Sequence, residues 1–134
     1  MKKLLSLLVC GLLLFGCGKD AESDEQQFKE PEFLVTPTMF NFEKQGGNAL
    51  FSCQCTEGKF ERCYVDASLA KFQFMPKEWT GRNQTLSVSC SALLFQVSSR
   101  GICGTIYADY KRPDGRIVTK HICDLYFHQN KLTL

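Results

Sequence analysis

The sequence predicts an all-β domain, an antiparallel immunoglobulin-like β-sandwich stapled by disulfides. Three observations predict this fold class. Short β-prone segments are separated by frequent turns, no apolar period of helical type runs for three turns after Cys17, and six cysteines fall within the same part of the chain. With 134 residues, 44% of them hydrophobic and 22% charged, the chain has the composition of one globular domain.

About six or seven strands are expected after the first 32 residues. Residues 49–55 and the start of 85–97 alternate apolar and polar side chains, which is typical of a strand with one covered face. Residues 33–42 form a predicted strand that Pro37 interrupts, because proline removes a backbone donor from the ladder. Further short strands are predicted at 63–67 and 71–75, and a longer loop at 76–83.

A hairpin of two strands, 102–110 and 117–127, is the best-defined structural feature of the sequence. Pro113-Asp114-Gly115 lies between the two strands. This tripeptide predicts a turn because proline fixes φ and glycine accepts a positive φ.

Residues 1–16 have the features of an export signal. Lys2 and Lys3 precede an apolar run over 4–15, which is shorter than the roughly 20 residues needed to span a bilayer. The run ends in Leu14-Phe15-Gly16-Cys17, which resembles the lipobox of bacterial lipoproteins. The resemblance implies cleavage before Cys17, a thioether-linked diacylglyceride on its sulfur and an acyl chain on its amino group. Several acyl chains are sufficient for stable membrane anchoring.

The residues after Cys17 predict a spacer and a location. Residues 17–32 hold six acidic residues against two lysines and almost no apolar residue, which predicts a disordered acidic tether. Gly18 and the acidic stretch from Lys19 resemble the leaders of lipoproteins that reach the outer membrane and, in the Bacteroides group, the cell surface. The expected organisation is therefore a signal peptide (1–16), a lipidated tether (17–32) and a β-sandwich domain (33–134).

The charge balance of the mature chain excludes one class of partner. Loss of Lys2 and Lys3 with the signal leaves 14 basic residues against 14 acidic ones. Nucleic-acid binding needs clustered positive charge, so no nucleic acid is expected as a partner.

Six cysteines remain once Cys10 in the signal and Cys17 at the anchor are set aside. An even number in a small exported domain predicts three disulfides, with fifteen possible pairings. Cys53 and Cys55 lie at the limit of disulfide geometry for a bond to each other. One of them is expected to pair with Cys63 across the turn at Glu57-Gly58 and the other with Cys103, which leaves Cys90 with Cys123 by elimination.

Metal binding is the alternative use of these cysteines. Cys53-x-Cys55 and His121-x-Cys123 offer thiolate and imidazole ligands, but zinc ribbons need two or more residues between paired ligands. Redox chemistry is not indicated because the chain has no Cys-x-x-Cys. Neither a metal nor any other cofactor is expected.

Catalytic residues are not indicated either, and three residues are possible ligand contacts. His121 and His128 are the only histidines, and neither is placed as a catalytic base. Trp79, in a predicted polar loop, is a possible platform for a sugar ring or a protein, and alternatively fills the end of the core. Arg112 and Arg116 at the hairpin tip are possible contacts for an anionic glycan or lipid headgroup, and alternatively belong to a solvated turn.

One family resemblance covers residues 34–129. The stretch Val35-Thr36-Pro37-Thr38-Met39-Phe40-Asn41-Phe42, with Gly46-Gly47 and the strand to Cys53, resembles the opening of BACON domains, and residues 100–106 with Gln129 resemble their end. These are immunoglobulin-like modules of Bacteroides-group surface proteins. The resemblance implies the sandwich class and a role in glycan or mucin binding, or as a spacer. The six cysteines depart from the family pattern.

Together these patterns predict an outer-membrane lipoprotein of the cell envelope whose sandwich is a non-catalytic binding or interaction module for a glycan or protein. The alternative is a structural accessory subunit of an outer-membrane complex. An enzyme or an enzyme inhibitor is the third reading.

Overall fold

The computed structural model describes residues 28–92 and 98–130, and within them it contains nine strands and no helix. The signal, Cys17 and residues 18–27 lie outside the described residues. The all-β prediction is confirmed. The strands are β1 (Glu32–Thr36), β2 (Met39–Phe42), β3 (Gly47–Glu57), β4 (Arg62–Ala67), β5 (Phe72–Met75), β6 (Glu78–Trp79), β7 (Asn83–Cys90), β8 (Ser99–Lys111) and β9 (Ile117–Gln129).

The strands form two sheets packed face to face. The five-stranded sheet has the order β2-β9-β8-β4-β6, and the four-stranded sheet has the order β1-β3-β7-β5. Neighbouring strands are antiparallel except β2 and β9, which pair in parallel.

The core lies between the sheets because each strand turns its alternate apolar side chains inward. Leu86 of β7 is fully buried, as are Ile106 of β8 and Leu125 of β9. Phenylalanines from both sheets fill the space around them, and the rings of Phe72 and Phe127 lie 4.6 Å apart across the interface. Burial of these side chains is the main stabilising contribution to the sandwich.

The hairpin prediction is confirmed as β8 and β9, which carry two bulges. One register shift lies between His121 and Cys123, so that these residues point to opposite faces of β9. The other lies between Leu125 and Tyr126, opposite Cys103, and it allows Cys103 to be buried next to the buried Gly104.

Two predicted elements differ from the structure. The predicted strand 33–42 is divided at Pro37 into β1 and β2, which belong to opposite sheets. The predicted loop 76–83 contains the short strand β6, which pairs with β4 through Trp79 and Cys63. A two-residue strand is too short to produce an alternation in the sequence, and only its partner strand reveals it.

The sequence predicted that the folded domain begins at residue 33. In the structure it begins earlier. The ring of Phe28 stacks on Tyr110 at a centroid distance of 6.2 Å, and the Tyr110 hydroxyl donates to Glu30 Oε2 over 3.0 Å. Lys120 Nζ donates to the Pro31 carbonyl over 2.8 Å and pairs with Glu30 over 3.1 Å. Residues 28–32, assigned above to the tether, therefore pack on the sandwich.

Residues 28–92 and 98–130 contain no helix that is long and apolar enough to cross a membrane.

Candidate functional site

The outer faces of the two sheets differ in chemistry. Strands β3, β5 and β7 turn only uncharged side chains outward from the four-stranded sheet. These are Asn48, Leu50, Ser52, Gln54, Thr56, Gln73, Met75, Asn83, Thr85, Ser87 and Ser89. The charged and aromatic outward side chains are concentrated on the five-stranded sheet.

Three ring-bearing residues form a row across that sheet, which we call the aromatic row. Tyr64 of β4, Tyr107 of β8 and His121 of β9 occupy directly paired positions on adjacent strands. The two phenol rings stack with centroids 5.5 Å apart and planes at 28°. The imidazole meets Tyr107 edge-on at 5.9 Å and 74°. Cross-strand neighbours on one face pack in this way because their Cβ atoms lie close together.

Arg62 lies next to the aromatic row at its β4 end, where it contacts Tyr64. Its guanidinium carbon lies 4.6 Å from the centre of the Tyr64 ring, in a cation–π contact. Arg62 Nε donates to Asp109 Oδ2 and Nη1 donates to Glu78 Oε1, each over 2.9 Å. Asp109 is held from the other side by Thr119 Oγ1, which donates to its Oδ1 over 2.6 Å. The guanidinium is therefore fixed in orientation by three groups.

A carboxylate orients the imidazole at the opposite end of the row. His121 Nε2 donates to Asp124 Oδ1 over 3.0 Å, and Thr105 Oγ1 donates to the same carboxylate oxygen over 3.1 Å. The His121 side chain is 56% exposed.

The carboxylates of Asp109 and Asp124 stay ionised at neutral pH. The hydrogen bond from Thr119, and then the Arg62 charge, hold the pKa of Asp109 below its usual value. The hydrogen bond from His121, and then that from Thr105, lower the pKa of Asp124. The site thus presents fixed charges of both signs around a rigid aromatic centre, an arrangement suited to recognition.

The prediction of Trp79 as a ligand contact is corrected by the structure, in which this residue fills the core, as in the alternative given above. Its side chain is 6% exposed and packs in the core, because the register of β6 against Cys63 turns it inward. Arg112 and Arg116 are exposed at the hairpin tip, where Arg116 Nε lies 3.5 Å from Asp114 Oδ2. The tip begins four residues along β8 from Tyr107, or about 13 Å at strand spacing, so it is separate from the aromatic row.

Among residues 28–92 and 98–130 the six cysteines are free thiols, and His121 is not directed toward them. His121 points outward and Cys123 inward from β9. Within residues 28–92 and 98–130 there is no group of three or more metal-ligating side chains.

The expected cysteine pairings are contradicted in part by the register. Cys53 is paired opposite Gln84 on β7, and Cys90 lies six residues further along that strand, or about 20 Å away. Cys103 lies on β8 five residues from Ala108, the partner of Cys63. Cys123 is paired with Ile106, three residues along β8 from Cys103. A bond from Cys103 to Cys53 or Cys55, or from Cys90 to Cys123, does not fit this arrangement.

Of the aromatic row, only His121 was singled out from the sequence, where it was weighed as a metal ligand and as a catalytic base, and neither tyrosine was predicted. The tyrosines could have been found from the alternation of the strands, because both occupy positions between buried residues and so point outward. Tyr64 alternates with the buried Cys63 and Val65, and Tyr107 alternates with the buried Ile106 and Ala108. A large amphipathic side chain in an outward position of a long strand marks a candidate contact.

A concave region of about 700 Å³ lies beside β5, away from the aromatic row. Leu69 and Met75 are exposed on its lining, together with Asp66 and Lys77. It lacks the paired and oriented groups of the aromatic row, which is therefore the stronger candidate.

Comparison with known proteins shows the fold alone. No family model matches the sequence, and no curated protein matches it. Among solved structures, the chain is similar over 76% of its length to 19% of a Bacteroides ovatus GH5 xyloglucanase in complex with a XXXG heptasaccharide, at 10% identity and a TM-score of 0.51. It is similar over 77% of its length to 53% of the YadV chaperone, at 11% identity and a TM-score of 0.55. It is also similar over 77% of its length to all of WR4, a C. elegans MSP family member, at 9% identity and a TM-score of 0.52.

The chain spans about a fifth of the xyloglucanase and about half of the chaperone. At these identities the likeness is one of architecture, a two-sheet β-sandwich.

Proposed function

We propose that this protein is a lipoprotein of the bacterial cell envelope, anchored at Cys17, whose immunoglobulin-like, disulfide-stapled sandwich is a non-catalytic module that binds a protein partner. The export signal and the lipobox resemblance support the anchor and the outer-membrane location. The surface chemistry of the five-stranded sheet supports the binding role.

The observation that carries the binding role is the aromatic row with its fixed charges. Tyrosine and arginine are the residue types that dominate binding energy at protein interfaces. Tyr107 is stacked on Tyr64 on one side and touched by His121 on the other, so little side-chain entropy remains to be lost on binding. A surface that is already ordered in this way is preorganised for a partner.

The ring geometry favours a protein over a sugar as the ligand. A sugar stacks on an open aromatic face, but the faces of Tyr64 are covered by Arg62 and by Tyr107. The row instead presents ring edges, phenol hydroxyls and oriented charged groups. Such groups make the hydrogen bonds and charge contacts of a polar protein interface.

Replacing Tyr107 with alanine is expected to weaken partner binding by about 30-fold, which corresponds to a hot-spot loss of about 2 kcal/mol. The test immobilises the detergent-solubilised full chain, captures proteins from the outer membrane and measures the affinity of each captured protein. Leu50→Ala is the matched control, because Leu50 is 67% exposed on the uncharged outer face of the other sheet.

A partner whose affinity falls with Tyr107→Ala and not with Leu50→Ala supports the proposal. Equal affinities for the wild type and Tyr107→Ala contradict the site. The same proteins are applied to a glycan array, where a signal that depends on Tyr107 would show a glycan ligand instead. Tight co-purification of one membrane protein in fixed stoichiometry would identify the accessory-subunit role.

Replacing Cys17 with serine is expected to abolish incorporation of a labelled lipid precursor and to release the protein from the membrane fraction. The thiol is the acceptor of the diacylglyceride in lipoproteins with this motif, and a hydroxyl does not replace it. Cys10→Ser is the control, because Cys10 lies within the predicted signal. Unchanged labelling of the Cys17→Ser protein would contradict the anchor.

A further inference from the structure

Six cysteines of the sandwich form two groups at opposite ends of the core. Cys53, Cys55, Cys63 and Cys123 form the first group, and Cys90 and Cys103 form the second. Phe72, the partner of Cys90, meets Phe127, the partner of Gly101, whereas Ala108, the partner of Cys63, lies five residues along β8 from Cys103. The two groups are separated along β3 and β7 by about 20 Å, the length of six residues in a strand. A disulfide holds its two Cα atoms within about 7 Å, so no bond joins one group to the other.

In the first group, Cys53 and Cys63 face each other across the interface between the sheets. Cys53 lies on β3 of the four-stranded sheet and is 1% exposed, and Cys63 lies on β4 of the five-stranded sheet and is 0% exposed. Both side chains belong to the buried core between the sheets. The two thiols are neighbours there, because the Cys53 thiol is the largest cause of the raised pKa of Cys63 and the Cys63 thiol is the largest cause of the lowered pKa of Cys53. Two buried cysteines that face each other from opposite sheets are placed for a bond between the sheets.

In the second group, Cys90 and Cys103 also come from opposite sheets. Cys90 ends β7 and is paired with Phe72 of β5, whose neighbour Phe74 is close to β8. A Cβ atom built on Gly104 would lie 2.8 Å from Phe74 Cζ, which shows how near the backbone of β8 comes to this end of the four-stranded sheet. Cys103 precedes Gly104 in the bulge and is fully buried.

Cys55 and Cys123 each have Cys53 as a neighbouring thiol, and neither affects the pKa of the other. Cys55 is two residues from Cys53 on the same strand, at the geometric limit for a bond, and its Sγ donates to the Glu57 carbonyl over 3.2 Å. Cys123 has Cys53 as its neighbouring thiol, and burial, followed by that neighbour, raises its pKa to about 11. Once Cys53 is bonded to Cys63, neither has a thiol partner among the described residues.

We propose that the exported protein contains two disulfides, Cys53–Cys63 and Cys90–Cys103, which join the two sheets at opposite ends of the core, and two free thiols, the buried Cys55 and the half-buried Cys123. Each bridge forms as one S–S bond, when two thiols lose two protons and two electrons. The electrons pass to a protein disulfide oxidant of the export compartment, which is reduced to its dithiol. The assignment goes beyond the proposed binding function but rests on the proposed export, because such bonds persist in an oxidising compartment.

Peptide mapping of the full chain, purified from the envelope fraction and alkylated under denaturing conditions without reduction, tests this assignment. Cleavage after lysine and arginine separates the cysteines, except that Cys53 and Cys55 share peptide 45–59. We expect 45–59 linked to 63–71, and 83–100 linked to 101–111, with one alkylated thiol in 45–59 and one in 121–131. These links vanish on reduction.

Any other pairing of the cysteines would overturn the assignment. A link from 83–100 to 121–131, or from 45–59 to 101–111, would contradict the two-ended arrangement. A link from 45–59 to 121–131 would contradict the two thiols. Six alkylated cysteines in a protein that carries lipid would overturn the bridges and leave the anchor intact. The same result in a protein without lipid would overturn the proposed export.

Serine variants distinguish the two cysteines of peptide 45–59. Cys53→Ser is expected to leave Cys63 alkylated, whereas the matched control Cys55→Ser is expected to retain the link to 63–71. Likewise Cys103→Ser should leave Cys90 alkylated, and Cys123→Ser should change neither link. A link to 63–71 that survives in Cys53→Ser and disappears in Cys55→Ser would show that the bridge is formed by Cys55.

Discussion

Replacing Leu86 with alanine is expected to lower the free energy of unfolding by about 3–5 kcal/mol. Leu86 is fully buried in the middle of β7, where it is paired with Phe51 of β3 and faces the five-stranded sheet. The substitution removes apolar contact on all sides, and the two sheets cannot close the cavity because their spacing is set by the neighbouring aromatic rings. A loss of this size is a large fraction of the stability of a small domain.

Urea unfolding of the oxidised protein, followed by circular dichroism, measures this loss. Leu50→Ala is the matched control, since it makes the same change at a side chain that is 67% exposed on the same sheet. A change within about 0.5 kcal/mol is expected for the control. Similar losses for the two variants would show that the inner face of the four-stranded sheet is assigned wrongly.

Replacing Gly46 with alanine is expected to cost about 3 kcal/mol, from two causes. Gly46 has a φ of +96°, where a side chain costs about 1–2 kcal/mol. A Cβ atom at this position would also lie 2.5 Å from the Cys90 carbonyl oxygen, so the end of β7 must move to accommodate it. The turn before β3 and the end of β7 are therefore destabilised together.

Gly115→Ala is the control for the conformational part of this loss. Gly115 has a similar φ of +90°, but no atom lies within 4 Å of the added Cβ. The difference between the two variants in thermal or urea unfolding therefore measures the steric part alone. Equal losses in the two variants would contradict the close packing of the Gly46 turn against β7.

Sequence patterns predicted those strands that show an apolar–polar alternation over several consecutive residues or that are joined by a recognisable turn. Residues 49–55 alternate and form most of β3, and Pro113-Asp114-Gly115 marks the β8–β9 hairpin. β6 was not predicted, because a two-residue strand is defined by its register with β4 and not by its own sequence. The inward direction of Trp79 follows from that same register.

The aromatic row could not be predicted because sheet order creates it. Tyr64, Tyr107 and His121 are distant in the sequence, and they meet because β4, β8 and β9 are neighbours in the five-stranded sheet. The cysteine pairings could not be predicted for the same reason. Their number is a property of the sequence, whereas their proximity depends on which end of the core each strand reaches.

The packing of residues 28–31 on the sandwich sets how far the domain can stand from a membrane. In the proposed lipoprotein, ten residues, 18–27, separate Cys17 from this packed segment, and ten residues span at most about 35 Å. A spacer running to residue 32 would have reached about 50 Å. In a protein anchored as proposed, the contacts of Glu30 and Pro31 with Lys120 would therefore shorten the largest distance between the domain and the membrane by about 15 Å.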